Sequence, residues 1–207
     1  MTELRPTKIV CIGLNYAKHA AEFGNPLPEE PLMFLKPASA LIGPGEAIVL
    51  PKGAGKVDYE GEIGVRIGKA AKAVSANEAW DYVDGLCALN DVTARELQRS
   101  DGQWTRAKGF DTFCPVGPVK PLAEIDLQHL SVTTKVNGEV RQQSPADDMV
   151  FDIPALVAHI SGVMTLEPGD LIATGTPSGV GPLAAGDVVE IEIAGVGSLS
   201  NPVVAGD

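Results

Sequence analysis

The sequence predicts an α+β protein that is mainly β, with a few short helices set among many short strands. Three observations lead there. Gly 23 and Pro 16 are both above ordinary usage, which points to frequent turns. Short apolar runs bounded by Gly or Pro recur along the whole chain. Only three segments carry helical signals, so the regular strand–helix alternation of a doubly wound sheet is missing. At 207 residues the chain is long enough for one domain with a full core, and no linker-like stretch divides residues 1–207.

Residues 8–14, Lys-Ile-Val-Cys-Ile-Gly-Leu, suit a buried strand. A helix follows, with Asn15 as N-cap, residues 17–23 as its body and Gly24 as its stop before the Pro-rich stretch 25–31. Residues 33–36, 47–50, 63–67 and 85–90 read as further strands. Residues 91–100 read as a helix launched from the last of them. Residues 130–136 and 139–142 flank Asn137-Gly138, the strongest short signal for a type I′ hairpin. Residues 151–165 form an amphipathic helix whose apolar stripe is Ile153, Leu156, Val157, Ile160 and either Val163 or Met164. The tail returns to β: residues 170–174, a Gly/Pro loop to Pro182, and 187–193, where Val189, Ile191 and Ile193 alternate with Val188, Glu190 and Glu192.

Sixteen Lys+Arg against 27 Asp+Glu give a formal charge of -11, which argues against a nucleic acid or an anionic membrane as the main partner and favours a small metabolite. No apolar run approaches the roughly 20 residues of a membrane helix. Residues 1–8 carry no signal-peptide core, so a cytoplasmic location is expected. Cys11, Cys87 and Cys114 are odd in number, widely spaced and without Cys-x-x-Cys, as expected of reduced, buried thiols.

The chemistry concentrates first in residues 57–67. Read as one strand, this run points Tyr59, Ile63, Val65 and Ile67 one way and Glu60 with Glu62 the other. Two adjacent carboxylates repel; on a buried face a hard cation, magnesium or manganese (Mg²⁺ or Mn²⁺), would hold both ionised. A solvated outer face explains a lone Glu-x-Glu without any metal. Asp91 adds a third acid at a strand–helix junction, and Arg95 and Gln98 follow it at i+4 and i+7. The simpler structural account is an N-cap Asp paired with Arg95.

His19 and Glu22, at i and i+3 of the first helix, can form an imidazole–carboxylate base or merely a surface contact. Lys108, between small residues in Arg-Ala-Lys-Gly-Phe-Asp, is open to a ligand, or is a solvated loop lysine. The loop 173–182, Ala-Thr-Gly-Thr-Pro-Ser-Gly-Val-Gly-Pro, offers backbone N–H groups and the hydroxyls of Thr174, Thr176 and Ser178 to a carboxylate. It lacks the Gly-Lys-Ser/Thr ending of a P-loop, so nucleotide binding is not expected.

Six ordered motifs then carry a resemblance. They are Gly-Leu-Asn-Tyr-Ala-Lys-His ending at His19 with Glu22 beyond it, Phe-Leu-Lys-Pro from Phe34, Asp-Tyr-Glu-Gly-Glu-Ile-Gly from Asp58, Asn-Asp-Val-Thr-Ala-Arg ending at Arg95, Lys-Gly-Phe-Asp from Lys108, and Thr-Gly-Thr-Pro-Ser-Gly-Val-Gly from Thr174. Together, over residues 9–202, the chain resembles the fumarylacetoacetate hydrolase family in its short single-domain branch of acylpyruvate hydrolases and oxaloacetate decarboxylases. The resemblance implies a mixed β-roll, a homodimer and a small 2-oxo acid substrate. It further implies Glu60, Glu62 and Asp91 as Mg²⁺ or Mn²⁺ ligands, His19 with Glu22 as a water-activating dyad, Lys108 as an active-site lysine, and Arg95, Gln98 and Thr176 as substrate contacts. Metal-dependent cleavage of a 3-acylpyruvate to pyruvate and an acid is the activity expected, with oxaloacetate decarboxylation or a related 2-oxo acid isomerisation as the alternative. Two departures stand out. No counterpart of the full-length hydrolase's N-terminal domain is present in these residues, which argues against fumarylacetoacetate itself, and the connection from Gln98 to Lys108 is short.

Overall fold

Residues 5–22 and 26–206 are described by the structure, a computed structural model. A six-stranded sheet runs in the order Lys120–Pro121, Val83–Asn90, Gly61–Ile67, Leu171–Ala173, Ile9–Gly13, Leu32–Lys36. It is mixed: Ile9–Gly13 lies parallel to Leu171–Ala173, and the other neighbours are antiparallel. A five-stranded sheet runs Glu139–Pro145, Ser131–Val136, Val188–Ile193, Gly197–Ala205, Ile48–Leu50. Two small sheets complete the roll. Gly181–Pro182, Val57–Tyr59 and Thr93–Ala94 make one, and Leu41–Ile42 with Cys114–Pro115 the other.

The alternation expected of residues 63–67 is observed. Ile63, Val65 and Ile67 face the main core with Val10, Ile12, Leu86 and Ala88, against Val132, Ile191 and Ile193 of the second sheet and Leu156, Val157 and Ile160 of the helix Ile153–Val163. Asp152 caps that helix by accepting from the Ala155 N–H at 2.9 Å, and Pro154 sits in its first turn. Met164 packs against the core while Val163 is exposed, which settles which of the two ends the stripe. The opposite face of the six-stranded sheet buries Ile9, Cys11, Cys87, Leu89, Leu171 and Ala173. All three cysteines are buried and free, and burial pushes the Cys87 and Cys114 thiols up to about 12.

Asn137 and Gly138 both take positive φ, 53° and 80°, as the type I′ hairpin requires. Val188–Ile193 shows the expected alternation of exposed and buried residues.

Three expectations are corrected. Residues 57–67 are two strands in two sheets, broken at Glu60, so Tyr59 joins a separate cluster with Val57, Val92 and Phe113 and shares no face with Ile63. Just past the break Gly61 runs so close to the second sheet that a Cβ there would fall on Thr134 Oγ1. Residues 91–100 are not one helix, because Thr93–Ala94 pairs with Val57–Tyr59 and the helix begins only at Arg95, running to Ser100. Asn15 makes no cap bond to the helix Ala17–Glu22 among the described residues. Its side chain donates to Phe151 O and Thr174 O and accepts from the Phe151 N–H, tying three segments together. The stop expected at Gly24 lies outside the described residues.

Candidate functional site

The break at Glu60 puts that residue between two sheets, and the chain passes Asn90 and Asp91 at the same level. The Glu60 N–H donates to Asn90 Oδ1 and the Asp91 N–H to Glu60 O, each at 2.9 Å, so backbone bonding fixes the two acids side by side. Glu62 follows on the face opposite Ile63, its Oε2 accepting from the Gly175 N–H at 2.8 Å. One carboxylate oxygen from each of Glu60, Glu62 and Asp91 can be chosen so that all lie within 4.8 Å of one another. The residues are 4%, 1% and 1% exposed. A solvated acidic face is therefore excluded.

Cations are built into the same place. Lys108, in the short helix Thr105–Lys108, donates to Glu60 Oε2 at 2.8 Å and Asp91 Oδ2 at 2.6 Å. It is buried, not a solvated loop lysine, and lies 4.9 Å from the centre of the Phe34 ring. Lys36, at the end of Leu32–Lys36, donates to Asp91 Oδ1 at 2.6 Å and Val92 O at 3.0 Å. Arg95 does not pair with Asp91 as its i+4 spacing suggests. The later start of its helix turns the guanidinium to Asp58 at 2.7 Å, to Glu60, and through Nη1 to Gln98 Oε1 at 2.9 Å.

Asp58, Glu60, Glu62 and Asp91 face the buried Lys36, Arg95 and Lys108, and the half-exposed Lys56 reaches Asp58 at 3.3 Å. Glu62 is the acid with no lysine or arginine ion pair among the described residues. Burial, then Asp91 and Glu60, push its carboxyl well above the usual range. Burial acts on Glu60 in the same direction, yet Arg95 and Lys108 outweigh it and hold Glu60 well below the usual range. Three hard oxygen donors within reach of one another, one of them an acid without a lysine or arginine partner among the described residues, suit a divalent cation such as Mg²⁺ or Mn²⁺.

His19 and Glu22 are joined, Nδ1 to Oε2 at 3.3 Å, and the Gly179 N–H lies 3.4 Å from both Glu22 oxygens. His19 and the three acids line one cavity of about 340 Å³ with Phe34, Arg95, Gln98, Trp104, Lys108 and Thr176. Trp104 supplies the outer wall within the short 98–108 connection. It stacks edge-on against Phe34 at 5.2 Å between ring centres and lies so close to Gly13 that a Cβ there would sit 2.9 Å from the indole.

The loop 173–182 serves the site differently from the expectation. Thr174 donates its hydroxyl to Ile63 O and Thr176 to Gly61 O, so neither has a hydroxyl proton left for a ligand. Ser178 lines a smaller, separate cavity beside Tyr16 and Asp148. Gln142 accepts from the Gly61 N–H and donates to Thr176 Oγ1 and Pro177 O, clamping that loop to the acid-bearing strand. Sequence reasoning assigned no role to Lys36, Asp58, Gln142 or Trp104. Lys36 and Asp58 did leave a signal, since each stands in one of the six motifs.

The family model described as fumarylacetoacetate (FAA) hydrolase C-terminal matches residues 8–204. The chain belongs to the fumarylacetoacetate hydrolase family. A mitochondrial oxaloacetate tautomerase of Bos taurus is 44% identical over 211 residues, spanning 97% of this chain and 67% of the relative. Among solved structures, 2-hydroxyhepta-2,4-diene-1,7-dioate isomerase from Mycobacterium marinum matches with a TM-score of 0.89 and 50% identity, covering 97% of this chain and 75% of that one. Fumarylpyruvate hydrolase from Pseudomonas aeruginosa, solved with Mn²⁺ and pyruvate, matches with a TM-score of 0.93 and 34% identity over 100% and 93% of the two chains. This member of the fumarylacetoacetate hydrolase family thus shares its fold with enzymes that hydrolyse, isomerise or tautomerise.

Proposed function

We propose that the chain is a Mg²⁺- or Mn²⁺-dependent hydrolase that cleaves the C–C bond of 3-acylpyruvates, giving pyruvate and a carboxylic acid. The observation that carries this reading is the His19–Glu22 pair opening onto the same cavity as Glu60, Glu62 and Asp91. A divalent ion held by those three acids would supply positive charge to the 2-oxo and carboxylate oxygens of the substrate and to the enolate that leaves.

The chain's own groups do the rest. His19, oriented by Glu22, accepts a proton from a water that attacks the distal carbonyl. The bond between that carbon and the methylene breaks, and the electron pair goes to the pyruvate fragment, which gains a proton at the methylene carbon. Lys108 keeps an ammonium beside the developing charge. Burial alone would lower its pKa, but Asp91 and Glu60 raise it above the ordinary lysine value, so it stays protonated at neutral pH. Gln98, whose carbonyl oxygen accepts from Arg95, lines the cavity and keeps its amide N–H groups as donors for a substrate oxygen. Phe34 and Trp104 keep the reacting end from bulk water.

A second reading, tautomerisation or decarboxylation of oxaloacetate, is favoured by the higher identity to the bovine tautomerase than to the fumarylpyruvate hydrolase. It needs the same charge stabilisation but no attacking water. Turnover of acetylpyruvate, fumarylpyruvate and oxaloacetate by purified protein, with and without EDTA, separates the two. The first reading expects pyruvate from an acylpyruvate, lost in EDTA; activity confined to oxaloacetate would replace it by the second. Assembly as a homodimer is part of the proposal, and only monomer in sedimentation at low micromolar concentration would count against it.

A further inference from the structure

The buried cations of the cavity are all engaged by carboxylates. Lys36 and Lys108 hold Asp91 and Glu60, and Arg95 holds Asp58 and Glu60. Arg99 is different. It lies at i+4 from Arg95 and i+1 from Gln98 on the helix Arg95–Ser100, and it lines the same cavity. It is exposed, and no ion pair engages it among the described residues. The acid that follows its helix, Asp101, is taken by Arg106 through two bonds of 2.8 and 2.6 Å. Glu96, on the same helix, does not line the cavity and lies against Gly55.

The cavity therefore combines charged and apolar walls. Glu60, Glu62, Asp91, His19 and Lys108 line it together with Leu14, Phe34 and Trp104. Arg99 adds an exposed positive charge from the helix Arg95–Ser100, where Gln98 also lines the cavity. A ligand matching this lining carries a 2-oxo acid for the carboxylate and Lys108 cluster, an apolar or unsaturated segment for Leu14, Phe34 and Trp104, and a second carboxylate for Arg99.

We propose that Arg99 binds the distal carboxylate of a dicarboxylate 2-oxo acid and sets the site's preference for diacids over monoacids. This rests on the 2-oxo acid reading above. A guanidinium–carboxylate pair is charge-assisted and can be bidentate, but at an exposed position it is worth only a modest factor, roughly five- to thirtyfold in affinity.

The test compares two probes of equal chain length, 2-oxoglutarate and 2-oxopentanoate, which differ in a terminal carboxylate against a methyl. Their dissociation constants are measured by calorimetry on the whole protein in Mn²⁺, for wild type, Arg99→Gln and Arg99→Lys. The expected result is a diacid preference of roughly five- to thirtyfold in wild type, partly kept in Arg99→Lys and reduced to about 1 in Arg99→Gln. Because the readout is a ratio, general damage to the site that weakens both probes alike does not mimic it. A wild-type ratio near 1, or a ratio in Arg99→Gln equal to wild type, overturns the assignment. Neither probe has to react, so failure of the turnover screen is read separately.

Discussion

Lys36 and Asp91 meet at 2.6 Å, both almost wholly buried, although 55 residues separate them in the chain. Leu32–Lys36 is an edge strand of the six-stranded sheet and Asp91 follows its Val83–Asn90 strand, so the pair joins two strands that are not neighbours in the sheet. Asp91 thereby shares its charge between Lys36 and Lys108 before any ligand arrives.

Removing one member of such a pair leaves a buried charge uncompensated, a loss of about 3–5 kcal/mol. Lys36→Met is expected to lower unfolding free energy by that order without metal and by less in saturating Mn²⁺, since a cation bound at Asp91 replaces part of the missing charge. Urea unfolding under both conditions checks this. An equal deficit with and without Mn²⁺ contradicts it.

Gly61 lets the acid-bearing strand pass the second sheet. Gly61→Ala is expected to cost about 1–3 kcal/mol from overpacking, and Thr134→Ala in the same chain should recover part of it by removing the hydroxyl that the new Cβ meets. Additive losses in a double-mutant cycle would mean the close approach is not what requires glycine.

Asp170 gives a pH dependence whose sign can be worked out. Burial raises its pKa, but Lys8 Nζ at 2.5 Å, the Glu167 N–H at 2.8 Å and Thr7 outweigh that and leave it below the usual carboxylate value. A depressed folded pKa stabilises the protein above the unfolded value of about 3.9 and loses that contribution as pH falls through the folded one. Asp170→Asn should therefore cost about 2–3 kcal/mol at pH 7, and the gap to wild type should narrow below pH ~4. A constant gap between pH 7 and pH 3 in urea titrations would refute the linkage.

His19→Ala tests the choice between reactions. Water activation by a positioned base contributes ~10²–10⁴-fold, so acylpyruvate hydrolysis should fall by that order while any oxaloacetate decarboxylation falls less. Equal loss of both assigns His19 to substrate binding or structure.

Much of this was legible in the chain. Period-2 alternation located Ile63, Val65 and Ile67 correctly because they face a single core, and the Asn137-Gly138 turn depends only on local φ preferences. The six motifs named residues that the fold does bring into one cavity. What sequence could not show were partnerships set by sheet topology. Gly61 passes close to Thr134 of the second sheet, and Arg95 turns toward Asp58 where Thr93–Ala94 pairs with Val57–Tyr59. Lys36 and Gln142 act through neighbours 55 and 34 to 81 residues away, and no spacing rule reaches that far.

The central claim is that Glu60, Glu62 and Asp91 hold a divalent cation required for turnover. The most direct measurement is Mn²⁺ binding to wild type and Glu62→Ala by electron paramagnetic resonance, alongside acetylpyruvate turnover in the same samples. A bound Mn²⁺ population in wild type is expected to parallel activity and to vanish with EDTA. In Glu62→Ala binding should weaken by at least about tenfold, since one charged ligand is gone. Full turnover in EDTA, or unchanged Mn²⁺ affinity in Glu62→Ala, would contradict it.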